Sequence, residues 1–249
     1  MREGAGARPA DGTLSMGAAP SEPFAGAFSD RDSVARYAEG PPKQVPGFRD
    51  MQRMVALLLA ERVPGDGAAL ILGAGGGLEL KLFAERQPGW RFCGVDPSAE
   101  MLDLARRTVG PAAARVDFHH GYVDTAPAGP FDGATALLTL HFLAEDERRR
   151  TLAEVRRRLK PGAPLVVVHH SIPAAERTAW LNRYAAFAIS SGIDADHAGT
   201  AISAIGQRLP LLSPEQDEAV LRDAGFEDIA LFYAGFTFRG WVAYRGSAE

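Results

Sequence analysis

The residues that most directly suggest chemistry lie in one short segment, residues 70–80, which reads LILGAGGGLEL. Within it Gly73, Gly75 and Gly77 follow an apolar run in a G-x-G-x-G pattern. A glycine-rich turn between a strand and a helix lets the backbone and the helix N-terminus approach a ligand closely, because no Cβ atom intervenes. We interpret the segment as a loop that binds a small molecule. A tight turn without a ligand is the alternative.

Asp96 is the second residue with a chemical signature. It ends the apolar segment RFCGVD, roughly 20 residues beyond the glycines, where a carboxylate can accept hydrogen bonds from both hydroxyls of a ribose. The alternative is an Asp that only begins the turn before Pro97. Taken together, the glycine loop and Asp96 predict a cofactor that contains a nucleoside.

The spacing of the glycines separates two kinds of cofactor. A dinucleotide fingerprint has the pattern G-x-G-x-x-G/A, and here its third position is Leu78, which is too large for close packing of helix and strand. The observed pattern suits an amino-acid tail and a ribose, without a pyrophosphate. Ile71 stands where comparable cofactor loops carry an acid. Glu79, in the first turn of the next helix, either replaces that acid or only complements the helix dipole.

Histidines supply the other candidates. His141 follows the predicted fourth strand and is either a general base or a packing residue. His169 and His170 end the fifth strand, at the edge where α/β sheets bind ligands, but neighbours on a strand point to opposite faces. We therefore predict no metal site. Cys93 is the only cysteine, which excludes an intramolecular disulfide and a thiolate metal cluster.

The elements that position these residues alternate between apolar segments and helical patterns. This alternation predicts an α/β fold with a mostly parallel sheet that is covered on both faces. The last two strands, joined by Ala234-Gly235, would form an antiparallel hairpin. Strands are predicted at 67–72, 91–96, 114–120, 131–140, 163–170, 229–235 and 236–245, and helices at 49–63, 78–86, 99–109, 146–159 and 213–226.

The length of 249 residues suits one domain with additions. Residues 1–26, rich in Gly, Ala, Pro and Ser, predict a disordered tail, and residues 27–249 a single domain. Within that domain, residues 173–209 break the alternation and predict a helical lid. Trp180 and Tyr184 in this stretch either pack the lid or line an apolar acceptor pocket.

The composition limits the kinds of partner that we expect for this chain. The net charge of −4 gives no general attraction to nucleic acid, and the arginines of residues 148–158 alternate with acids as on a solvated helix face. No run reaches the roughly 18 apolar residues of a membrane span, and no signal peptide is recognisable. We expect a cytoplasmic protein that acts on a small molecule, without a membrane or nucleic-acid partner, and leave a homodimer open.

The chain resembles the class I S-adenosylmethionine (SAM)-dependent methyltransferases in the motifs LGAGGG, GVDPSAEMLDLARR, FDGATALLTLHFL and LKPGAPLVVV. The resemblance implies a Rossmann-like methyltransferase fold with a seven-stranded, mostly parallel sheet, SAM as cofactor, and methyl transfer to a small-molecule acceptor. It also implies a set of cofactor-binding residues: Phe48, Gly73, Ala74, Gly75, Gly77, Asp96, Pro97, Met101, Tyr122, Val123 and Leu137.

Within that class, QVPGFRDMQRMVALLL, LTLHFL and AGFTFRGWVA look like the carboxy-SAM synthase family, in which an aromatic at the position of Phe48 closes over the cofactor. The chain departs from the family at three positions. Ile202 replaces its carboxylate-binding Arg, Leu137 its Asn and Tyr122 its acid. Without the Arg, a carboxylated sulfonium lacks its main counter-charge. We therefore predict ordinary SAM and another substrate, with a carboxy-SAM synthase or binder, or a non-catalytic SAM-fold protein, as alternatives.

Overall fold

The computed structural model describes Val34 and residues 37–246. The predicted disordered tail, residues 1–26, lies outside the described residues. The described strands form one sheet in the order β3-β2-β1-β4-β5-β7-β6, in which β1 to β5 pair in parallel and β7 is antiparallel to both neighbours. The predicted fold class is confirmed. The strands are β1 (Ala68–Leu72), β2 (Arg91–Asp96), β3 (Val116–His120), β4 (Gly133–Leu137), β5 (Pro164–His170), β6 (Phe226–Gly235) and β7 (Phe238–Arg245).

Helices connect the parallel strands, and side-chain caps fix several of their ends. The Ser98 hydroxyl accepts a hydrogen bond from the Met101 N–H at 3.2 Å, which begins the helix after β2 as predicted. No helix between residues 37 and 246 is long and apolar enough to cross a membrane. The helices are α1 (Gly40–Gln44), α2 (Phe48–Ala60), α3 (Leu78–Arg86), α4 (Ala99–Val109), α5 (Glu145–Arg158), α6 (Arg177–Ser190), α7 (Ala195–Arg208) and α8 (Pro214–Asp223).

Two apolar layers hold the helices on the sheet. Because successive side chains of a strand point to opposite faces, Ile71 belongs to one layer while Leu70 and Leu72 belong to the other. The Ile71 layer packs against α2 and α3, and the second layer packs against α5 and α8. Both faces of the central strands are therefore buried, which explains their continuous apolar sequences.

The C-terminal hairpin differs from the prediction in the position of its turn. Residues 236 and 237 form the turn, whereas Gly235 is paired with Phe238 in the sheet. The prediction placed the turn at the glycine. Glycine is required at position 235 for close packing instead, because a Cβ atom there would clash with the Tyr233 hydroxyl. Phe236 instead takes the left-handed turn conformation, with φ of 50°.

The arginine-rich helix α5 also differs from the prediction. Arg148 and Arg158 are 1% and 3% exposed, so the expected solvated face is wrong at these two positions. Arg148 forms an ion pair with Asp217 of α8, and Arg158 donates to the carbonyls of Asp124 and Ala126 at 2.8 and 3.2 Å. Both side chains therefore join α5 to neighbouring parts of the fold.

Candidate functional site

A cleft opens at the carboxyl ends of β1 and β4. These strands are neighbours in the sheet although the chain leaves them in different directions, and ligands of open α/β sheets bind at such a switch point. The cleft brings together the glycine loop, the start of α2 and α3, and the end of β4. The described residues that line it are Tyr37, Pro41, Phe48, Gln52, Gly73, Gly75, Leu78, Glu79, Leu137 and Leu138.

The glycine loop satisfies its own backbone donors. The N–H groups of residues 73 and 74 donate to the Val95 carbonyl at 2.9 and 3.1 Å, and that of Gly75 donates to Asp96 Oδ2 at 2.9 Å. The next two N–H groups bond to the carbonyls of Met101 and of Ala74. Because the N–H groups of residues 73–77 all donate to acceptors within the chain, the loop has no free N–H group with which to bind a pyrophosphate. This geometry disfavours a dinucleotide.

Gly73 is required where β1 meets the end of β4. Its φ is 68°, and a Cβ atom there would clash with Thr139 Oγ1. The Thr139 hydroxyl is within 3.3 Å of the Leu72 carbonyl and 3.0 Å of the Leu137 carbonyl, so it ties together the ends of both strands. Thr139 was not predicted, because its only signal is a small hydroxyl residue directly after an apolar strand.

Asp96 lies behind the loop and is 9% exposed. Its two carboxylate oxygens accept hydrogen bonds from the N–H groups of Gly75 and Ser98, each at 2.9 Å. Burial raises the pKa of Asp96, and these two bonds act in the opposite direction. Because a carboxylate has about four acceptor positions, the group can hold the loop and still accept from a ligand's hydroxyls.

Glu79 is 8% exposed and faces the cleft from the first turn of α3. Its Oε1 atom accepts a hydrogen bond from the Thr135 hydroxyl of β4 at 3.0 Å. Burial raises the pKa of Glu79 to about 8, against the lowering effect of that bond. Glu79 is therefore largely protonated at neutral pH, so complementing the helix dipole with a charge does not describe its role.

Two further polar residues, neither of them predicted from the sequence, line the cleft. The ring of Tyr37 packs over Gly76, and burial raises the pKa of its hydroxyl, with further increases from the carboxylates of Glu79 and Asp96. Gln52 is 5% exposed on the inner side of α2. Tyr37 lies in a polar stretch without periodicity, and Gln52 is a polar residue in an apolar helix face, so neither had a clear signal.

The predicted cofactor residues fall into three groups. Phe48, Gly73, Gly75 and Leu137 line the cleft, while Ala74, Gly77, Asp96 and Met101 form the loop or pack against it. The third group, beyond the ends of β2 and β3 and not among the lining residues described, comprises Pro97, Tyr122 and Val123.

His141 is 5% exposed and is not among the described residues that line the cleft. Its Nδ1 atom accepts a hydrogen bond from the His170 N–H at 3.4 Å, and its ring lies 4.9 Å from that of His170 and 4.4 Å from that of Phe142. Burial and the charges of the neighbouring histidines and Arg148 keep its pKa well below the usual value. This geometry favours the packing role over the base.

The two histidines that end β5 point to opposite faces, as predicted, but both are buried. His169 Nε2 lies 3.1 Å from Asp217 Oδ1, whereas His170 bonds to the Thr237 hydroxyl at 2.9 Å and stacks on Phe238 at 4.1 Å. Within residues 37–246, no group of three or more His, Cys, Asp or Glu side chains could hold a metal ion.

Helices α6 and α7 follow the carboxyl end of β5, on the cleft's side of the sheet, and we call them the lid helices. Tyr184 of α6 is buried with its ring edge toward Phe238 and His170, at 5.7 and 5.5 Å, so it packs the lid onto the sheet. Ile202 of α7 is partly buried between the core beside Tyr184 and a smaller cluster that includes Leu181. The position expected for a carboxylate-binding Arg is therefore apolar.

Comparison with known proteins identifies a methyltransferase domain at residues 69–162, which includes the glycine loop and Asp96. A carboxy-S-adenosyl-L-methionine synthase of Chromohalobacter salexigens is 28% identical over 87% of this chain and 82% of its own. A trans-aconitate 2-methyltransferase of Azoarcus sp. is 37% identical, but over 48% of this chain and 46% of its own, so the chain matches less than half of that relative.

Among solved structures, human N-acetylserotonin methyltransferase in complex with SAM superposes with a TM-score of 0.61. The match covers 92% of this chain and 61% of the human protein, at 14% identity. At that identity the likeness establishes the fold alone. Together with the matched domain, it confirms the class I methyltransferase fold that the motifs predicted.

Proposed function

We propose that this chain, a class I SAM-dependent methyltransferase by its matched domain and its fold, transfers the methyl group of SAM to a small-molecule acceptor. The observation that carries the proposal is the arrangement of Asp96 and the glycine loop at the switch point of the sheet. The Asp96 carboxylate is held by the loop's own N–H group, while the loop keeps no donors for a pyrophosphate. An adenosine with an amino-acid tail fits this arrangement better than a dinucleotide does.

The reaction needs little chemistry from the protein. SAM, held by Asp96 and the glycine loop, would supply a methyl group on a sulfonium, which an acceptor's lone pair would displace in line with the carbon–sulfur bond, with the neutral thioether as the leaving group. Positioning and exclusion of water contribute most to the rate of such a displacement. The apolar side chains of Phe48, Leu137 and Leu138 in the cleft suit this task. A base is needed only where the acceptor carries a proton that must leave.

A small acceptor is favoured over a macromolecule by charge and shape. The chain's net charge is −4, so it lacks the general attraction that RNA or DNA binding uses. The cleft is small, and its described lining is mostly apolar, without a basic side chain for a nucleic-acid backbone. The Azoarcus relative, named for the small molecule trans-aconitate, is consistent with this class of acceptor.

We expect methyl transfer to appear in a small-molecule fraction of a cell extract. The protein is incubated with SAM that carries an isotope-labelled methyl group, and separately with the small-molecule, RNA and protein fractions. Labelled products in the first fraction alone, with an equal amount of S-adenosylhomocysteine, are the expected result. Label in RNA or protein would contradict the small acceptor. No S-adenosylhomocysteine with any fraction would favour a non-catalytic binding protein.

A carboxy-SAM synthase or binder is the second candidate, because the similarity to the Chromohalobacter synthase extends over 87% of this chain. Against it stands Ile202, which puts an apolar side chain at the position where that family grips a carboxylate. The two candidates differ in the ligand they retain. Mass spectrometry of ligand released by denaturing freshly purified protein should find SAM or S-adenosylhomocysteine. A species heavier than SAM by one carboxylate would reverse the order of the candidates.

A further inference from the structure

We propose that Glu79 replaces the acid that is missing at Ile71 and binds the α-ammonium group of the cofactor's methionine part. The inference rests on the proposed function, since it assumes that SAM occupies the cleft. It assigns a cofactor-binding role to a residue of α3 that lies outside the loop's glycine pattern. Three observations carry it: the register of β1 and β4, the lining of the cleft, and the charges around Glu79.

The register places the Glu79 carboxyl group beside Ile71. In the parallel pair of β1 and β4, the Cα atoms of Ile71 and Thr135 are direct partners, so their side chains emerge on the same face of the sheet. Glu79 Oε1 accepts from the Thr135 hydroxyl at 3.0 Å. An acid at position 71 would reach toward the same threonine. Glu79 therefore brings a carboxyl group to the place of the missing one, from the neighbouring helix.

Glu79 also lines the space that the ligand would occupy. Glu79 lines the cleft together with Gly73 and Gly75 of the loop and Leu137 of β4. By the methyltransferase resemblance, the loop passes under the methionine part of SAM. The α-ammonium group of that part carries three N–H donors. Since the cleft places Glu79 and the loop against the same space, the ammonium can donate to this carboxylate.

The described surroundings of Glu79 supply no cation that would stabilise its ionised form. Among the cleft-lining residues that the structure describes there is no Lys, Arg or His. Among the described residues, the titratable group from another element that interacts with Glu79 is Tyr37, whose pKa is also raised by the Asp96 carboxylate. The neighbouring polar groups of α2 and β4, Gln52 and Thr135, are neutral. Within the part of the chain that the structure describes, Glu79 is thus a buried acid without a cationic partner, and a bound cation would stabilise its ionised form.

The proposed contact also predicts a pH dependence of SAM binding that can be measured. The pKa of Glu79 is raised to about 8, so the group must lose a proton when it pairs with the ammonium. The affinity for SAM should therefore rise with pH until the pH reaches about 8. Between pH 6.5 and 7.5 the expected gain is several-fold, and at most tenfold, since one pH unit changes the ionised fraction at most tenfold. The ammonium group of SAM also titrates. This contribution cancels in the ratio of the SAM dissociation constants of a Glu79 variant and the unaltered protein at each pH.

The test uses Glu79→Gln, which removes the charge and can still accept from Thr135. The matched control is Glu85→Gln, which removes the same charge from an exposed position of the same helix. Calorimetric titrations compare SAM with 5′-methylthioadenosine, which lacks the amino-acid part. At pH 7.5, Glu79→Gln should weaken SAM at least ~10-fold and 5′-methylthioadenosine less than ~2-fold, and should lose the pH dependence. Glu85→Gln should change none of these.

Two results would overturn the assignment. One is a Glu79→Gln protein that binds SAM as the unaltered protein does, with the same pH dependence. The other is an equal loss for both ligands, which would mean that the residue shapes the cleft. If the Gln variant does not fold, the pH dependence of SAM binding to the unaltered protein, compared with that of 5′-methylthioadenosine, decides alone. Failure of the unaltered protein to bind either ligand would instead overturn the proposed function.

Discussion

Asp217→Ala should lower the free energy of unfolding by about 3–5 kcal/mol, since breaking a buried ion pair from one side strands the other charge. The side chains of Asp217 and Arg148 are each 1% exposed. Although burial opposes it, the pKa of Asp217 is lowered by His169 and Arg148, so the carboxylate is charged in the folded protein. Its loss would leave the Arg148 guanidinium buried without a counter-charge. Urea denaturation followed by circular dichroism measures the effect.

Two comparisons separate the ion pair from a general effect on α8. Asp223→Ala removes an acid that is 57% exposed at the end of the same helix and should cost less than about 1 kcal/mol. The double variant Arg148→Met, Asp217→Leu removes both charges and should recover most of the lost stability. A cost below about 1 kcal/mol for Asp217→Ala alone would show that the buried pair does not join α5 to α8.

Asp96→Ala should weaken SAM binding at least ~10-fold, which corresponds to about 1.4 kcal/mol. The variant removes the carboxylate that would accept both ribose hydroxyls, and charge-assisted hydrogen bonds contribute about 1.5–3 kcal/mol each. It also removes the acceptor for the Gly75 and Ser98 N–H groups, so the loop should loosen. Calorimetric titration gives the affinity, and thermal unfolding gives the accompanying change in stability.

Asp96→Asn is an intermediate case, because it removes the charge but keeps the side-chain volume and one accepting oxygen, and so retains one of the two bonds from the Gly75 and Ser98 N–H groups. We expect it to be more stable than Asp96→Ala and still to bind SAM more weakly than the unaltered protein. Asp103→Ala, an exposed acid of α4 paired with Arg106, is the control for net charge and should bind normally. A folded Asp96→Ala protein with an unchanged dissociation constant would mean that the cofactor lies elsewhere.

The sequence was sufficient for most of the sheet because four of the five parallel strands are short, mostly apolar runs bounded by turn residues, whereas β3 reads VDFHH and is only partly buried. The helices Leu78–Arg86 and Ala99–Val109 were predicted to the residue, since glycines open the first and Ser98 caps the second. The hairpin turn was misplaced because Phe236 and Thr237 are not usual turn residues, whereas Gly235 is. The local sequence was enough to locate the helices and strands, but not the hairpin turn, whose position is set by packing.

The parts of the site that escaped prediction depend on contacts between distant residues. Glu79 was predicted either to replace the missing acid or to complement the helix dipole, and the choice between the two depends on its bond to Thr135, which is 56 positions away. Arg148 looked solvated because acids alternate with arginines along α5, but its partner Asp217 is 69 positions away. Tyr37 lies over Gly76 without any periodic signal. Such contacts require knowledge of the packing.

A crystal structure of the protein with S-adenosylhomocysteine tests the central claim most directly. We predict that the ligand occupies the cleft at the ends of β1 and β4, with both ribose hydroxyls on Asp96. Its methionine part should lie along the glycine loop, with the α-ammonium group within hydrogen-bond distance of Glu79. A ligand bound elsewhere on the sheet edge, or one whose ribose does not contact Asp96, would contradict the account.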